Sequence, residues 1–468
     1  MRRPALFHAA LVVSATLSAL NVHSTARAAE ARPNVLFIMA DDLNIDLGCY
    51  GHSVVKSPNV DRLAAHGVRF ARAYCNYPVC NASRTSLLSG RRPDTTHVMD
   101  NDTPPRTALG DAAFLPEWFR SHGYRSIKVG KIYHTGDKFE DPRSWDIDLR
   151  EDSTAKKPPA NQVIGRQGPS GVVLDTDDAN TWDGHVARKA TELMVETAAA
   201  GTPFFVAAGF RRPHSPYIAP KKYFDLYDAG SLEPRPGPPE HLANIPDVAL
   251  TYRMGREPFP IEKPGDTIAA YYASVSFMDA QLGVLLDALD EHKLWDNTVV
   301  VFCSDHGYHL GEHGGLWHKM TLFEEADHVP LLVAAPGAKS GAASPALVEL
   351  VDLYPTLVEL CGLEQPPGLE GTSLAPLLTA PERSWKSAVL TVARRVDAKN
   401  PADRKKIGRT IFTGRWRYTE WSDGHRELYD EQADPYEYVN LACAPDAVNV
   451  AGELSRALAA GWRAATPK

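Results

Sequence analysis

Two continuous apolar runs constrain this chain most: Asn34-Val-Leu-Phe-Ile-Met39 leads into Asp41-Asp42, and Thr298-Val-Val-Val-Phe-Cys303 leads into Asp305-His306. A strand with one wet face alternates apolar and polar residues, whereas a run without alternation is buried on both faces, as inside a helix-covered parallel sheet. Pro203 to Phe210 and Val329 to Ala335 carry the same signature, and Tyr124 to Val129 reads as a further strand that follows a helix. Helical segments separate them: Pro58 to Gly67 with Ser57 as N-cap, Leu115 to Gly123, and Leu350 to Leu360. A long helix capped by Asp266-Thr267 keeps Ala270, Tyr271, Val275, Met278, Leu282, Leu285, Leu286 and Leu289 at helical spacing. The fold class is therefore α/β. Open α/β sheets gather ligands beyond the carboxyl ends of their strands, which is where Asp41 and Asp42 stand. Adjacent carboxylates repel unless a cation neutralises them, and hard oxygen donors suit calcium or magnesium. A lone Asp-Asp pair is more often a solvated turn.

At 468 residues the chain exceeds what one hydrophobic core holds, roughly 250–300 residues. Beyond residue 380 the pattern changes to short strand-like runs (388–392, 409–413, 416–420), a turn-rich 428–435 and a terminal helix near 451–463, which predicts a small antiparallel subdomain. Residues 137–183 and 230–264, rich in Asp, Pro and Gly, read as long surface loops that shape access to a site. A hydrophobic content of 44% with 23% charged residues excludes disorder. The net charge of -8, without runs of one sign, excludes a nucleic-acid or anionic-membrane surface. Any anionic substrate must then be met by a local cluster of cations. Arg2 and Arg3, the apolar Ala9 to Leu20 and Ala26-Arg27-Ala28 read as an export signal over residues 1–29, predicting a periplasmic or secreted protein with no membrane segment after cleavage. The six cysteines are too few for a disulfide scaffold and lack C-x-x-C spacing.

One of them sits in Cys80-Asn81-Ala82-Ser83-Arg84, ahead of a segment with helical spacing from Ser83 toward Ser89 that Gly90 ends. That would place position 80 at a helix N-terminus, which favours a bound oxyanion. The segment resembles the nucleophile motif C-x-P-S-R of the type I sulfatases, departing from it at Ala82, where Pro is usual. Asn34 to Gly51, Val129 to His134, Arg212 to Tyr217, Cys303 to Gly314 and Leu428 to Leu441 resemble further sulfatase motifs in the same order, over nearly the whole mature chain. Asp42-Leu43, Gly90-Arg-Arg-Pro-Asp-Thr95 and His306 place the resemblance nearest the iduronate-2-sulfatase-like branch.

The resemblance implies an alkaline-phosphatase-like fold, with a large mixed, mostly parallel sheet flanked by helices over residues 30–380 and a smaller antiparallel sheet over 381–468. It implies that a formylglycine-generating enzyme oxidises Cys80 to formylglycine, and that Asp41, Asp42, Asp305 and His306 hold one Ca2+ together with residue 80. Imidazole is a softer ligand, so the chemistry of His306 leaves room for another divalent ion. In the implied mechanism Arg84 stabilises the aldehyde hydrate, and Lys131 and Lys319 neutralise sulfate oxygens. His214 with Lys319 protonates the leaving alcohol, and His134 deprotonates the second hydroxyl to expel sulfate. His309, His313 and His318 read as loop polar groups. The implied substrate is a sulfated saccharide. Two other readings compete: a phosphonate or phosphate ester hydrolase of the same superfamily, and a non-catalytic binder of sulfated glycan.

Overall fold

The four apolar runs and Tyr124 to Val129 become strands of one eight-stranded sheet, ordered Ala342–Glu349, Val68–Tyr74, His328–Ala334, Thr298–Ser304, Asn34–Asp41, Phe204–Pro213, Arg125–Gly130 and Ile147–Leu149. The computed structural model describes residue 1 and residues 32–107, 109–168, 170–250, 262–395 and 403–467. The export signal read over residues 1–29 lies, apart from Met1, outside the described residues, as does part of the 230–264 loop. Only His328–Ala334 runs against the other strands, so the sheet is mixed and mostly parallel.

The central strand shows why its sequence never alternates. Leu36 and Ile38 enter one core with the helices Trp182–Ala199 and Pro264–Glu291, while Val35, Phe37 and Met39 enter the opposite core with the helix Leu353–Leu360. Both faces are covered, and each buried aliphatic side chain contributes about 1.5–3 kcal/mol of transfer free energy. Among the described residues no helix is long and apolar enough to cross a membrane. All six cysteines are free thiols.

The second sheet pairs Val389–Arg394, Ile407–Phe412, Trp416–Trp421 and Arg426–Asp430 antiparallel, in chain order. Helix Val448–Ala460 covers it, with Ala451 and Leu454 packing against Ile411, Tyr418 and Leu428.

Several local expectations are corrected. Residues 137–183 are not structureless: Ile147–Leu149 forms the sheet edge, and Val163–Gln167 and Gly171–Leu174 join Tyr217–Pro220 in a three-stranded sheet. Ser57 does not cap helix Pro58–His66, because its hydroxyl accepts from Gly48 N at 2.9 Å. Asp279, from the long helix, caps it instead, accepting from Asn59 N at 2.9 Å and Val60 N at 2.8 Å. Asp266 and Thr267 lie inside the first turn of Pro264–Glu291, not at its cap. Strands Val68–Tyr74, Ala342–Glu349 and Arg426–Asp430 were not anticipated.

Candidate active site

The two acid-tipped strands are neighbours, with Met39 beside Cys303 and Ala40 beside Ser304, so Asp41, Asp42, Asp305 and His306 leave the sheet side by side. All four are buried. Asp42 takes the left-handed backbone at φ 63°, an unfavourable conformation for a residue with a Cβ, and Tyr271 Oη clamps the turn by donating to Asp42 O at 2.8 Å and accepting from Asn44 N at 3.0 Å.

Cys80 is the first residue of helix Cys80–Ser89, and Gly90 stops that helix at φ 63°. Every residue of the helix is buried. Cys80 Sγ lies 3.2 Å from His306 Nε2 and 3.5 Å from both Asp41 Oδ1 and Lys319 Nζ. Val79 supplies no side-chain cap, so the positive end of the helix faces residue 80 unscreened. One turn on, Arg84 Nε donates to Asp305 Oδ2 at 2.7 Å and its Nη1 to the carbonyls of Lys131 and Ile132 at 2.5 and 3.0 Å, while Nη2 sits 3.4 Å from Asp41 Oδ1.

Lys131 Nζ donates to Asp41 Oδ2 and Lys319 Nζ to Asp42 Oδ1. Lys131 is delivered by a close approach of two strands, in which a Cβ on Gly209 would fall 2.2 Å from the Lys131 carbonyl oxygen. Gly209→Ala is therefore expected to lower stability by about 1–3 kcal/mol and to reduce turnover by displacing Lys131. Urea unfolding read beside the rate checks it; an unchanged midpoint would mean the strands give way freely.

The ligand atoms of Asp41, Asp42, Cys80 and His306 all lie within 4.8 Å of one another. His306 Nδ1 is 2.9 Å from Gly307 O, which holds the proton there and leaves Nε2 as a lone-pair donor toward the cluster. Asp42 Oδ2 is buried with no hydrogen-bond partner. Two carboxylates and an imidazole, beside the side chain of residue 80, fit a divalent cation. Asp305 stands beside the four, its Oδ1 3.6 Å from His306 Nε2 and its Oδ2 taken by Arg84. The carboxylates of Asp41, Asp42 and Asp305 are matched by Lys131, Lys319 and Arg84, so an added dication leaves a positive surplus for an anionic ester.

His214 presents Nε2 3.9 Å from Asp42 Oδ2, while its Nδ1 lies 2.6 Å from Ser215 O and 3.3 Å from Arg211 Nη2. His134 stacks edge-on against Phe139, and its Nδ1 is buried without a hydrogen bond. Burial, with Lys131 next, pushes His134 down to about 3. Burial also holds His214 well below its ordinary range, though Asp41 opposes it. Burial drives the Cys80 thiol up to about 12 against the pull of Lys131 and Lys319. Burial alone would lower Lys319, but Asp42 and Cys80 hold it protonated. These contacts join Asp41, Asp42, Cys80, Arg84, Lys131, His214, Asp305, His306 and Lys319, while His134, three residues beyond Lys131, packs against Phe139. His309, His313 and His318 do not join them: His309 bonds Thr321, His318 bonds Tyr308, and His313 Nε2 lies 3.5 Å from Glu325. Sequence reasoning missed Tyr271 and Glu151, whose carboxylate grips Arg211 at 2.8 Å.

Known proteins give this arrangement a context. The family described as Sulfatase matches residues 33–363, and the one described as N-sulphoglucosamine sulphohydrolase, C-terminal, matches residues 311–463. Iduronate 2-sulfatase of Homo sapiens is 34% identical over 407 residues, covering 76% of this chain and 74% of that protein. Among solved structures, the phosphonate monoester hydrolase of Agrobacterium radiobacter superposes with a TM-score of 0.79 at 24% identity, covering 92% of this chain and 95% of that one. A protein solved in complex with its substrate D-glucosamine-2-N,6-O-disulfate superposes with a TM-score of 0.73 at 22% identity, covering 91% and 97%.

Proposed function

This chain belongs to the sulfatase family and is a sulfuric ester hydrolase, and from that premise we propose that it desulfates sulfated saccharides with a formylglycine made from Cys80. One observation carries the reading. Residue 80 opens a buried helix N-terminus, with its side chain 3.2 Å from His306 Nε2 and 3.5 Å from Asp41 Oδ1 and Lys319 Nζ, which sets a nucleophile among cations and metal-type ligands. Oxidised by a formylglycine-generating enzyme, it supplies a hydrated aldehyde with one hydroxyl to attack sulfur and a second whose deprotonation expels sulfate. Asp41, Asp42, Asp305 and His306, with residue 80, would hold Ca2+, which supplies Lewis-acid charge at the attacking oxygen. The export signal read over residues 1–29 supports a site of action outside the cytoplasm.

The chain's own residues account for the remaining steps. Each lysine ammonium has three donors, and Lys131 and Lys319 use only some of theirs on Asp41, Asp42 and Cys80, leaving others for sulfate oxygens. Such preorganised cations act where charge develops and supply the largest catalytic contribution. Arg84, locked by Asp305, holds the hydroxyls of residue 80 in place. Lys319, kept protonated, is the proton reservoir for the leaving alcohol, and neutral His214 passes the proton on.

His134, held near 3, is an unprotonated base through the whole physiological range and loses that role only as pH falls through about 3. Sulfate release in single turnovers is expected to stay flat from about pH 5 to 8, and His134→Ala to slow it by about 10²–10⁴. A limb near pH 6.5 that disappears in the variant would contradict the assignment. Parallel assays of an aryl sulfate and a phosphodiester test the reaction class. Faster sulfate turnover is expected, and faster phosphodiester turnover would move the chain to the phosphonate hydrolase reading.

A further inference from the structure

Lys319 stands between two strained residues. His318 and Met320 both take the left-handed backbone, at φ 74° and 82°, an unfavourable conformation that persists only where surrounding contacts impose it. His318 ends a short hairpin in which Leu310 pairs with Trp317 and His309 with His318. Its Nδ1 lies 2.8 Å from Tyr308 Oη, which in turn lies 2.8 Å from Tyr217 Oη. Both tyrosines are buried. Among the described residues Tyr308 is the hydrogen-bond partner of Tyr217 Oη. The arrangement that leaves no buried hydroxyl proton without an acceptor therefore has Tyr217 donating to Tyr308 and Tyr308 donating to the Nδ1 lone pair of His318.

The same tyrosines hold the carboxylate that Lys319 meets. Tyr271, which clamps the Asp42 turn, stacks on Tyr308 with ring centroids 5.2 Å apart and an interplanar angle of 11°. Asn44, from that turn, donates through Nδ2 to Tyr308 O at 3.3 Å. One phenol of the stack thus grips the turn of Asp42 and the other grips the residue before Lys319. Between them Lys319 Nζ donates to Asp42 Oδ1 and stands 3.5 Å from Cys80 Sγ. An ammonium on a long flexible stem is placed only as well as the backbone that carries it.

We propose that His318 is a positioning residue: its bond to Tyr308 locks the left-handed turn and so holds the Lys319 ammonium where the leaving alcohol takes its proton. The inference rests on the proton-reservoir role given to Lys319, and Lys319→Ala is measured beside it to test that role separately. In formylglycine-bearing protein, kcat/KM is compared for 4-nitrophenyl sulfate, whose phenolate departs unaided, and phenyl sulfate, whose more basic phenolate needs the proton. His318→Gly keeps the left-handed backbone accessible and deletes the bond, and Tyr308→Phe deletes it from the other side. Each is expected to slow phenyl sulfate about tenfold more than 4-nitrophenyl sulfate, as a misplaced acid does. His318→Asn is expected to restore the rate, because its side-chain oxygen branches from the same carbon as Nδ1, accepts from Tyr308, and sits on a residue that tolerates the left-handed region. Equal losses on the two esters, no loss in either variant, or no recovery with asparagine would each overturn the proposal. A loss in Lys319→Ala that is the same for both esters would instead remove the reservoir role on which it stands.

Discussion

Cys80→Ala is expected to lower sulfate-ester turnover by at least about 10⁴-fold while leaving the protein folded. The reason lies in what the substitution removes. In the proposed mechanism residue 80 bonds sulfur covalently, while Lys131, Lys319, Arg84 and the histidines position, neutralise or move protons. Removing a nucleophile leaves only their electrostatic contribution. The fold survives because the change trims one small buried side chain and leaves intact the bonds that anchor helix Cys80–Ser89, including Ser83 to Asp305 O and Arg84 to Asp305 Oδ2. Circular dichroism and an unfolding midpoint recorded beside the rate separate the two effects. Substantial residual turnover would remove residue 80 from the mechanism.

Arg417→Met is expected to destabilise the protein by about 3–5 kcal/mol, the largest effect on stability among single changes considered. Arg417 projects from strand Trp416–Trp421 of the small sheet and is 1% exposed. It pairs with Asp327 at 2.8 Å, Glu431 at 2.9 Å, Glu437 at 2.5 Å and also Glu324. Asp327 immediately precedes main-sheet strand His328–Ala334, so the guanidinium ties the two sheets together. Methionine fills the volume but leaves four carboxylates without their cation. Burial already raises Asp327 to about 7 and Glu431 to about 8, with Arg417 opposing it in both. Carboxyls raised in the folded state bind more protons there than when unfolded, so stability falls as pH rises through these values. Without Arg417 the shifts grow. The gap between wild type and variant should therefore widen from pH 6 to pH 9 in urea unfolding. A gap below about 1 kcal/mol, or one independent of pH, would contradict the role assigned to the cluster.

The central sheet was legible because burial on both faces erases alternation. Asn34–Asp41 and Thr298–Ser304 announce themselves, and their acid tips announce the site. Val68–Tyr74 escaped because Arg69 and Arg72 interrupt it, and Arg426–Asp430 because its charged residues read as turn. Ile147–Leu149 is three residues long and gains its partner only from the edge of a sheet formed elsewhere. In the pocket, residue types and their order along the chain marked the groups that bear chemistry. The groups that aim them did not show. Tyr271 reaches Asp42 across 229 residues and Glu151 reaches Arg211 across 60, and neither carries a local signature.

The central claim is that residue 80 works as an aldehyde, and the tryptic peptide spanning residues 73–84 tests it directly because it contains both Cys75 and Cys80. Mass spectrometry of this peptide, taken from protein produced with a formylglycine-generating enzyme and active on a sulfate ester, should find formylglycine at position 80 and an intact thiol at position 75. An unmodified Cys80 in protein that hydrolyses sulfate esters at full rate would contradict the account.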